Sequence, residues 1–277
     1  MAVCINGEFF EDCEAKVSAF DRGFLFGDGA FTTLRTRNGK LFRIDDYLDR
    51  LFGSCELIEL RIPRTKEQII SWTEECFRRS ELQEARIRIQ VTRGTGAPEV
   101  AQPLEGEPTI AIFAVPLPEY KPELYEKGAE VINVRIERFL PRSKNLAFLP
   151  SVLADIRARE KNAFEPLLID RQDFATEGKT SNLFIVKDGE LITPKENILE
   201  GVTRKVVLEL AEKEGIRTEL RAVKMAELFT ADEVFITGTT KAIVPVVKID
   251  GKTIASGTPG ETTKHLMRKF GEYVGNY

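Results

Sequence analysis

Residues 115–123, VPLPEYKPE, place three prolines in nine positions. Proline removes a backbone donor and fixes φ, so neither a helix nor a central strand can run through such a stretch. The chain is therefore expected to fold as one body before it and another after it. The reading is a small N-terminal α+β domain over 1–115, a linker over 116–122, and a larger C-terminal domain over 123–277. Both halves mix hairpins with helices and lack regular strand–helix alternation, which predicts the α+β class.

In the first half, residues 3–10 alternate around Asn6-Gly7, a strong hairpin signal. Residues 16–26 carry alternation up to Gly27 and Gly29. The run 30–44 reads as two strands joined at Asn38-Gly39. A helix opens at Ile44-Asp45-Asp46, with its acids in the first turn and Tyr47, Leu48, Leu51 and Ile58 at helical spacing. A second helix is expected over 66–79. ARIRIQVTR (85–93) alternates as a strand with Ile87, Ile89 and Val91 on one face, and TIAIFAV is a buried strand. In the second half, strands are expected over 129–136 and 166–170, with a helix between them from Pro150 to about 162. A hairpin turns on Asp188-Gly189. The helix GVTRKVVLELAEKEG stops at Gly215. Strands at 217–222, 233–237 and 242–249 and a last helix complete the chain.

The totals remove several function classes. One histidine, His265, is present in 277 residues. A Ser-His-Asp site, a two-histidine zinc site or a Cys-His pair needs a histidine beside other fixed groups, and this one falls on the last helix. No metal site is expected. A net charge of −4 offers no basic face for nucleic acid. Cys4, Cys13, Cys55 and Cys76 form no CxxC pair and read as free thiols. No run of about 18 apolar residues suggests a membrane span. MAVCINGEFFEDCEAK lacks the basic start and apolar core of a secretory leader, so a cytoplasmic location is expected.

Chemistry then falls to lysines, carboxylates or a cofactor. Lys144 sits in RSKNLAFLP beside Ser143 and ahead of an apolar run. A half-buried lysine with a neutral amine can form an imine with an aldehyde cofactor, although most turn lysines are merely solvated. Glu177, in TEGKTSN, is either a turn residue or a carboxylate facing a protonated ring nitrogen. Gly201-Val202-Thr203 opens a helix whose free N–H groups favour an anion, with Thr203 as a plain N-cap the competing reading. Gly238-Thr239-Thr240 offers two hydroxyls and free amides, and Arg50 a cation.

Taken together, FDRGFLFGDGAFTTLR, LFRIDDYLDRL, RSKNLAFLP, TEGKTSNLFIVKDGELITP, ILEGVTRKVVLELA and ADEVFITGTTKAIVPV resemble the class IV, or fold type IV, aminotransferases over about residues 5–270. The resemblance implies pyridoxal 5'-phosphate at a domain interface. It makes Lys144 the Schiff-base lysine and Glu177 the partner of the pyridine nitrogen. Arg50, Val202, Thr203, Thr239 and Thr240 would meet the phosphate, with Ser181 and Asn182 behind the ring. Such proteins are at least homodimers with shared active sites.

Within the family the pocket is mixed. Branched-chain enzymes carry a tyrosine five residues after the lysine, and here that position is Leu149, as in D-amino-acid aminotransferases and aminodeoxychorismate lyases. QVTRGTG is similar to the D-amino-acid enzymes, yet their tyrosine, arginine and histidine carboxylate trap is replaced by Phe31, Pro98 and Val100. GAFTT is similar to the lyases, with Thr32 or Thr33 as the helping hydroxyl. A carboxylate in a dry pocket needs a cation, and Lys241, Arg22 and Arg93 are the candidates, with Phe26 and Phe31 as apolar walls. The expected reaction moves an amino group between a D-amino acid and a 2-oxo acid, 2-oxoglutarate or pyruvate. Alternatives are a pyruvate-releasing lyase, an L-branched-chain enzyme, or an (R)-amine transaminase.

Overall fold

The computed structural model describes residues 2–96, 99–100 and 106–277. The chain divides into two compact units. One holds Met1–Pro118, Ser143–Phe148 and Tyr277, and the other Glu119–Arg142 and Leu149–Asn276. The change at Pro118 falls inside the proline-rich stretch. A continuous domain over 123–277 is not what forms, because the loop bearing Lys144 belongs to the first unit. It is tied there by an antiparallel bridge between Ala30 and Asn145.

The first unit contains β1 (Ala2–Ile5), β2 (Glu8–Glu11), α1 (Arg22–Phe26), β3 (Gly29–Arg37), β4 (Lys40–Leu41), α2 (Ile44–Glu56), α3 (Lys66–Arg79), β5 (Ala85–Thr92) and β6 (Thr109–Pro116). Its sheet runs β2-β1-β6-β5-β3-β4. In the β3–β5 pairing Leu34 lies opposite Ile87, Thr33 opposite Arg88 and Phe31 opposite Gln90. Strand residues alternate faces, so the sheet has two distinct sides. One carries Leu34, Ile87 and Ile89, all fully buried, with α2 packed on β3 and α3 on β6. The other carries Phe31, Thr33, Arg88 and Gln90. A capping box at Thr65 and Gln68 starts α3. The alternation of residues 16–26 does not become a strand; Asp21 makes one isolated bridge, to Thr95. Asp21 caps Gly23 N–H and Gly27, at φ 67, ends a short helix instead. Local capping outweighs a weak period-2 pattern here.

The second unit contains α4 (Glu123–Glu126), β7 (Ala129–Arg135), α5 (Leu149–Glu160), β8 (Glu165–Ile169), β9 (Phe174–Gly178), β10 (Asn182–Lys187), β11 (Glu190–Thr193), α6 (Val202–Lys213), β12 (Thr218–Leu220), β13 (Val223–Lys224), β14 (Glu233–Gly238), β15 (Ala242–Ile249), β16 (Lys252–Thr253) and α7 (Glu261–Gly275), with a 3-10 turn at Met225–Phe229. Its sheet runs β12-β11-β10-β14-β15-β7-β8-β9-β13. β9 also pairs with β10, through Glu177 and Asn182 alone. That pair closes a ring of β10, β14, β15, β7, β8 and β9. Val131, Leu167, Leu183, Ile185, Ile236 and Val244 pack as one core. Ala154 and Ala158 of α5 pack on Ile132, Val134 and Leu168. The opposite stripe of α5, Leu149, Val152, Leu153 and Ile156, is exposed. Among the described residues no helix is long and apolar enough to cross a membrane.

Candidate active site

In the first unit Lys144 is held by its backbone. Its carbonyl accepts from Phe31 N–H at 2.9 Å. Its own N–H donates to Ser54 Oγ at 3.0 Å, and Ser143 Oγ donates to the Ser54 carbonyl at 3.1 Å. Ser54 thus fixes the loop from α2, a role the sequence did not suggest. The Lys144 amine lies 4.8 Å from the Phe31 ring centroid and 6.0 Å from that of Phe148. The two rings meet edge to face at 5.6 Å. Phe31 therefore lies beside the Lys144 amine. Phe26 is not enclosed; it is exposed at the end of α1 and lies under the guanidinium of the buried Arg22.

Arg88 was missed. Its guanidinium stacks 3.7 Å over Phe31 and donates to Gln90 Oε1 at 3.0 Å. Among the described residues it makes no ion pair. Burial, helped by repulsion from Arg86, pushes it down to about 10. The available signal was the polar register of ARIRIQVTR, where arginines alternate with buried isoleucines. Thr33 shares this face across from Arg88. Thr32 is on the other side and accepts from Arg50 Nη2 at 2.8 Å. Arg50 also stacks on Tyr47.

The other proposed cations are engaged elsewhere. Arg22 and Arg93 both close on Asp28, at 3.1 and 2.9 Å. Arg93 also donates to the carbonyls of Ile58 and Glu59, and Arg22 to that of Glu99. They brace the loop around Asp28, which corrects their assignment as waiting carboxylate binders. Pro98 lies outside the described residues, and Val100 is exposed.

In the second unit Glu177 is buried. It accepts from Arg138 Nε at 2.7 Å and from Leu199 N–H at 3.0 Å. Asn182 Nδ2 donates to the Leu199 carbonyl at 2.6 Å. Glu177 and Asn182 so grip both polar groups of one residue just ahead of α6. β9 and β10 splay from their single shared pair, and the Leu199–Gly201 segment fills the notch. Gly201 is required there, because a Cβ would lie 2.0 Å from Asn182 Oδ1. Gly201 is also the N-cap of α6 and supplies no side-chain cap. Thr203 is thus not the N-cap; it and Val202 stand buried in the first turn. Thr239 and Thr240 occupy the hairpin from Gly238 to Ala242, where Ala242 takes φ 55, and Tyr120 bonds Thr240 at 3.0 Å. Thr237, opposite Asn182, has a buried hydroxyl with no partner among the described residues.

Lys241 does not wait for substrate. It is buried at 5% exposure, and its amine pairs with Glu165, itself at 0%. Thr180 Oγ1 accepts from it at 3.0 Å. Glu165 also accepts from Thr180 N–H at 3.0 Å and Ser181 Oγ at 2.9 Å. Burial alone would push the Glu165 carboxyl up, but the Lys241 charge and these donors overcome it and hold it below its ordinary range. The expected substrate contact of Lys241 is corrected by this pairing. His265 is a surface group between Glu214 and Arg268.

A family model described as amino-transferase class IV matches residues 29–249. The chain is a class IV aminotransferase. A D-alanine aminotransferase of Bacillus licheniformis is 37% identical, covering 96% of this chain and 95% of that one. A protein named as a branched-chain-amino-acid aminotransferase by inference, from Methanocaldococcus jannaschii, is 42% identical over 98% of this chain and 95% of its own. The solved branched-chain amino acid aminotransferase of T.th. with pyridoxamine 5'-phosphate superposes with a TM-score of 0.94 at 28% identity, covering 99% of this aminotransferase and 94% of that chain. The family's cofactor is pyridoxal phosphate, and the residues of this aminotransferase fit it. One unit offers a primary amine against aromatic rings. The other offers a gripped carboxylate and, among the described residues, a helix start with no side-chain cap at a required glycine and a buried hydroxyl without a partner.

Proposed function

We propose that this aminotransferase moves an amino group between a D-amino acid with an apolar side chain and a 2-oxo acid, 2-oxoglutarate or pyruvate. Bound pyridoxal phosphate supplies an electron sink for the negative charge developed at substrate Cα. Lys144 holds the cofactor through its amine and then moves the proton at that Cα. Glu177, kept in place by Arg138 and the Leu199 N–H, keeps the ring nitrogen protonated. Val202, Thr203, Thr239, Thr240 and Arg50 receive the phosphate, and Ser181 and Asn182 back the ring. Phe31 and Phe148 exclude water from the amine, and Thr33 borders the substrate.

Arg88 carries the substrate part of this reading. A half-buried guanidinium stacked on Phe31 with no acid partner among the described residues is the cation that a carboxylate requires. It replaces Lys241, Arg22 and Arg93 in that role. An aromatic wall beside one arginine suits both an apolar side chain and a carboxylate.

The D hand is supported by Leu149 and QVTRGTG and by the D-alanine aminotransferase relative. An L-branched-chain reading is favoured by the 42% identical relative. Half-reaction spectroscopy separates them: the holoenzyme is mixed with D- and L-valine, leucine and alanine without acceptor. Bleaching of the visible cofactor band by D enantiomers alone is expected. Bleaching by L enantiomers alone would replace this reading with the second. Pyruvate release from aminodeoxychorismate without an amino acceptor would replace both.

We also infer a cytosolic homodimer. The stripe Leu149, Val152, Leu153 and Ile156 has helical spacing and leaves an apolar face exposed on the single chain. All four cysteines are free thiols.

A further inference from the structure

We propose that Lys241 is a positioning residue for cofactor phosphate, acting through Glu165: the pair locks two turns together and cancels a buried negative charge behind the phosphate-holding threonines. The proposal rests on the reading that Thr239 and Thr240 receive the phosphate. It does not depend on which amino acid is the substrate.

Three segments meet at this pair. Glu165 opens β8 and is fully enclosed. The turn between β9 and β10 closes on it through Thr180 N–H and Ser181 Oγ. That turn leaves no room for a side chain at Gly178, where a Cβ would lie 2.2 Å from Ser181 Oγ and 2.7 Å from Glu165 Oε1. The hairpin between β14 and β15 closes on it through Lys241, which follows directly on Thr239 and Thr240. Lys241 Nζ touches both Glu165 and Thr180 Oγ1, and lies 5.6 Å over the Phe164 ring. A Cβ on Gly238 would be 3.1 Å from the Thr180 carbonyl, so the two turns are in contact along their backbones. Tyr125 Oη donates to the Lys241 carbonyl at 3.2 Å, fixing the hairpin from a third side.

The electrostatic part follows from position. Glu165 is held ionised by Lys241 together with the Thr180 N–H and the Ser181 Oγ, and these two donors remain when the lysine is removed. Without the ammonium, an unmatched carboxylate would be sealed a few residues from a site for a dianion. Two negative charges in a poorly solvated interior repel over distances at which surface charges are screened. A lysine next to the phosphate threonines thus assists anion binding without touching the anion. It also sets the spacing of the turn carrying Ser181 and Asn182 against the turn carrying Thr239 and Thr240.

The two contributions differ in sign under substitution. Apo protein is prepared as wild type, Lys241→Met, Glu165→Gln and the double variant, and titrated by absorbance with pyridoxal 5'-phosphate and separately with pyridoxal. Lys241→Met should weaken pyridoxal phosphate by about 10-fold or more, with pyridoxal changed less than about 3-fold. Glu165→Gln leaves the ammonium uncancelled and should bind pyridoxal phosphate at least as tightly as wild type. The double variant removes both charges and should return to within about 3-fold of wild type. If Lys241→Met does not fold, the signs of Glu165→Gln and the double variant still decide. Equal weakening of both probes, or Glu165→Gln weakening pyridoxal phosphate as Lys241→Met does, would overturn the proposal. Wild type failing to bind pyridoxal phosphate would instead remove the cofactor reading on which it stands.

Discussion

Replacing Arg88 by methionine tests the substrate pocket directly. Met keeps a long apolar stem over Phe31 and removes the charge. The fall of the guanidinium to about 10, at about 1.36 kcal/mol per pH unit, sets an upper bound of about 3 kcal/mol on burial and Arg86 repulsion taken together. A carboxylate that meets this group can recover up to that amount. A charge-assisted hydrogen bond is worth about 1.5–3 kcal/mol, so the two bounds agree. The expected loss in kcat/KM for 2-oxoglutarate is about 10- to 150-fold. Glu165, Glu177 and Lys144 are untouched, so the cofactor spectrum should not change. Protein stability should hold or rise, because a half-buried cation with no acid partner among the described residues is removed. The assay is paired half-reactions: 2-oxoglutarate with the amino form of the enzyme, and an apolar amino acid with the aldehyde form. The oxo-acid half should slow while the apolar half changes little in its side-chain discrimination. A 2-oxoglutarate half-reaction within about 2-fold of wild type would refute the role of Arg88.

Three further outcomes are expected. Glu177→Gln should lower kcat at least about 100-fold and also lower the melting temperature, because Arg138 loses its buried partner; adding Arg138→Met should restore melting but not kcat, measured by steady-state kinetics and calorimetry. Ile156→Glu on the exposed stripe of α5 should shift the protein to monomer in sedimentation, and an unchanged dimer would reject that surface. Glu165 is held below its ordinary 4.5, so its stabilising contribution is complete above that pH and is lost as pH falls through its lower folded value; Glu165→Gln should flatten the acid limb of stability against pH in urea titrations, and an unaltered limb would contradict the assigned shift.

Much of the scaffold could be read from local pattern. The helix at 66–79 and the hairpins at Asn6-Gly7, Asn38-Gly39 and Asp188-Gly189 follow from caps, turns and period. The short helix α1 was not legible, because a five-residue helix leaves no period and depends on the Asp21 cap. Motifs nominate the residues proposed for the site, but they say nothing of the partners those residues meet. Arg138 reaches Glu177 across 39 positions, and Lys241 reaches Glu165 across 76. Nothing local in ERFLPRS or AFEPLLID announces those meetings, so a buried lysine was read as an available one. Arg88 was hidden for a different reason: a strand's polar register ordinarily faces solvent, and here a phenylalanine and an arginine cover each other on that side.

The fork formed by β9 and β10 has one rung, Glu177 to Asn182. Both tines are anchored far from it, one by β8 and β13 and the other by β14 and β11. The intervening link therefore acts as a gauge block. Exchanging its side chains alters chemistry, but adding or deleting a residue would carry the carboxylate and the amide off the two polar atoms of Leu199 in opposite directions. Descendants of this sequence are held in TEGKTSN to its length as firmly as to the letters Glu177, Gly178 and Asn182.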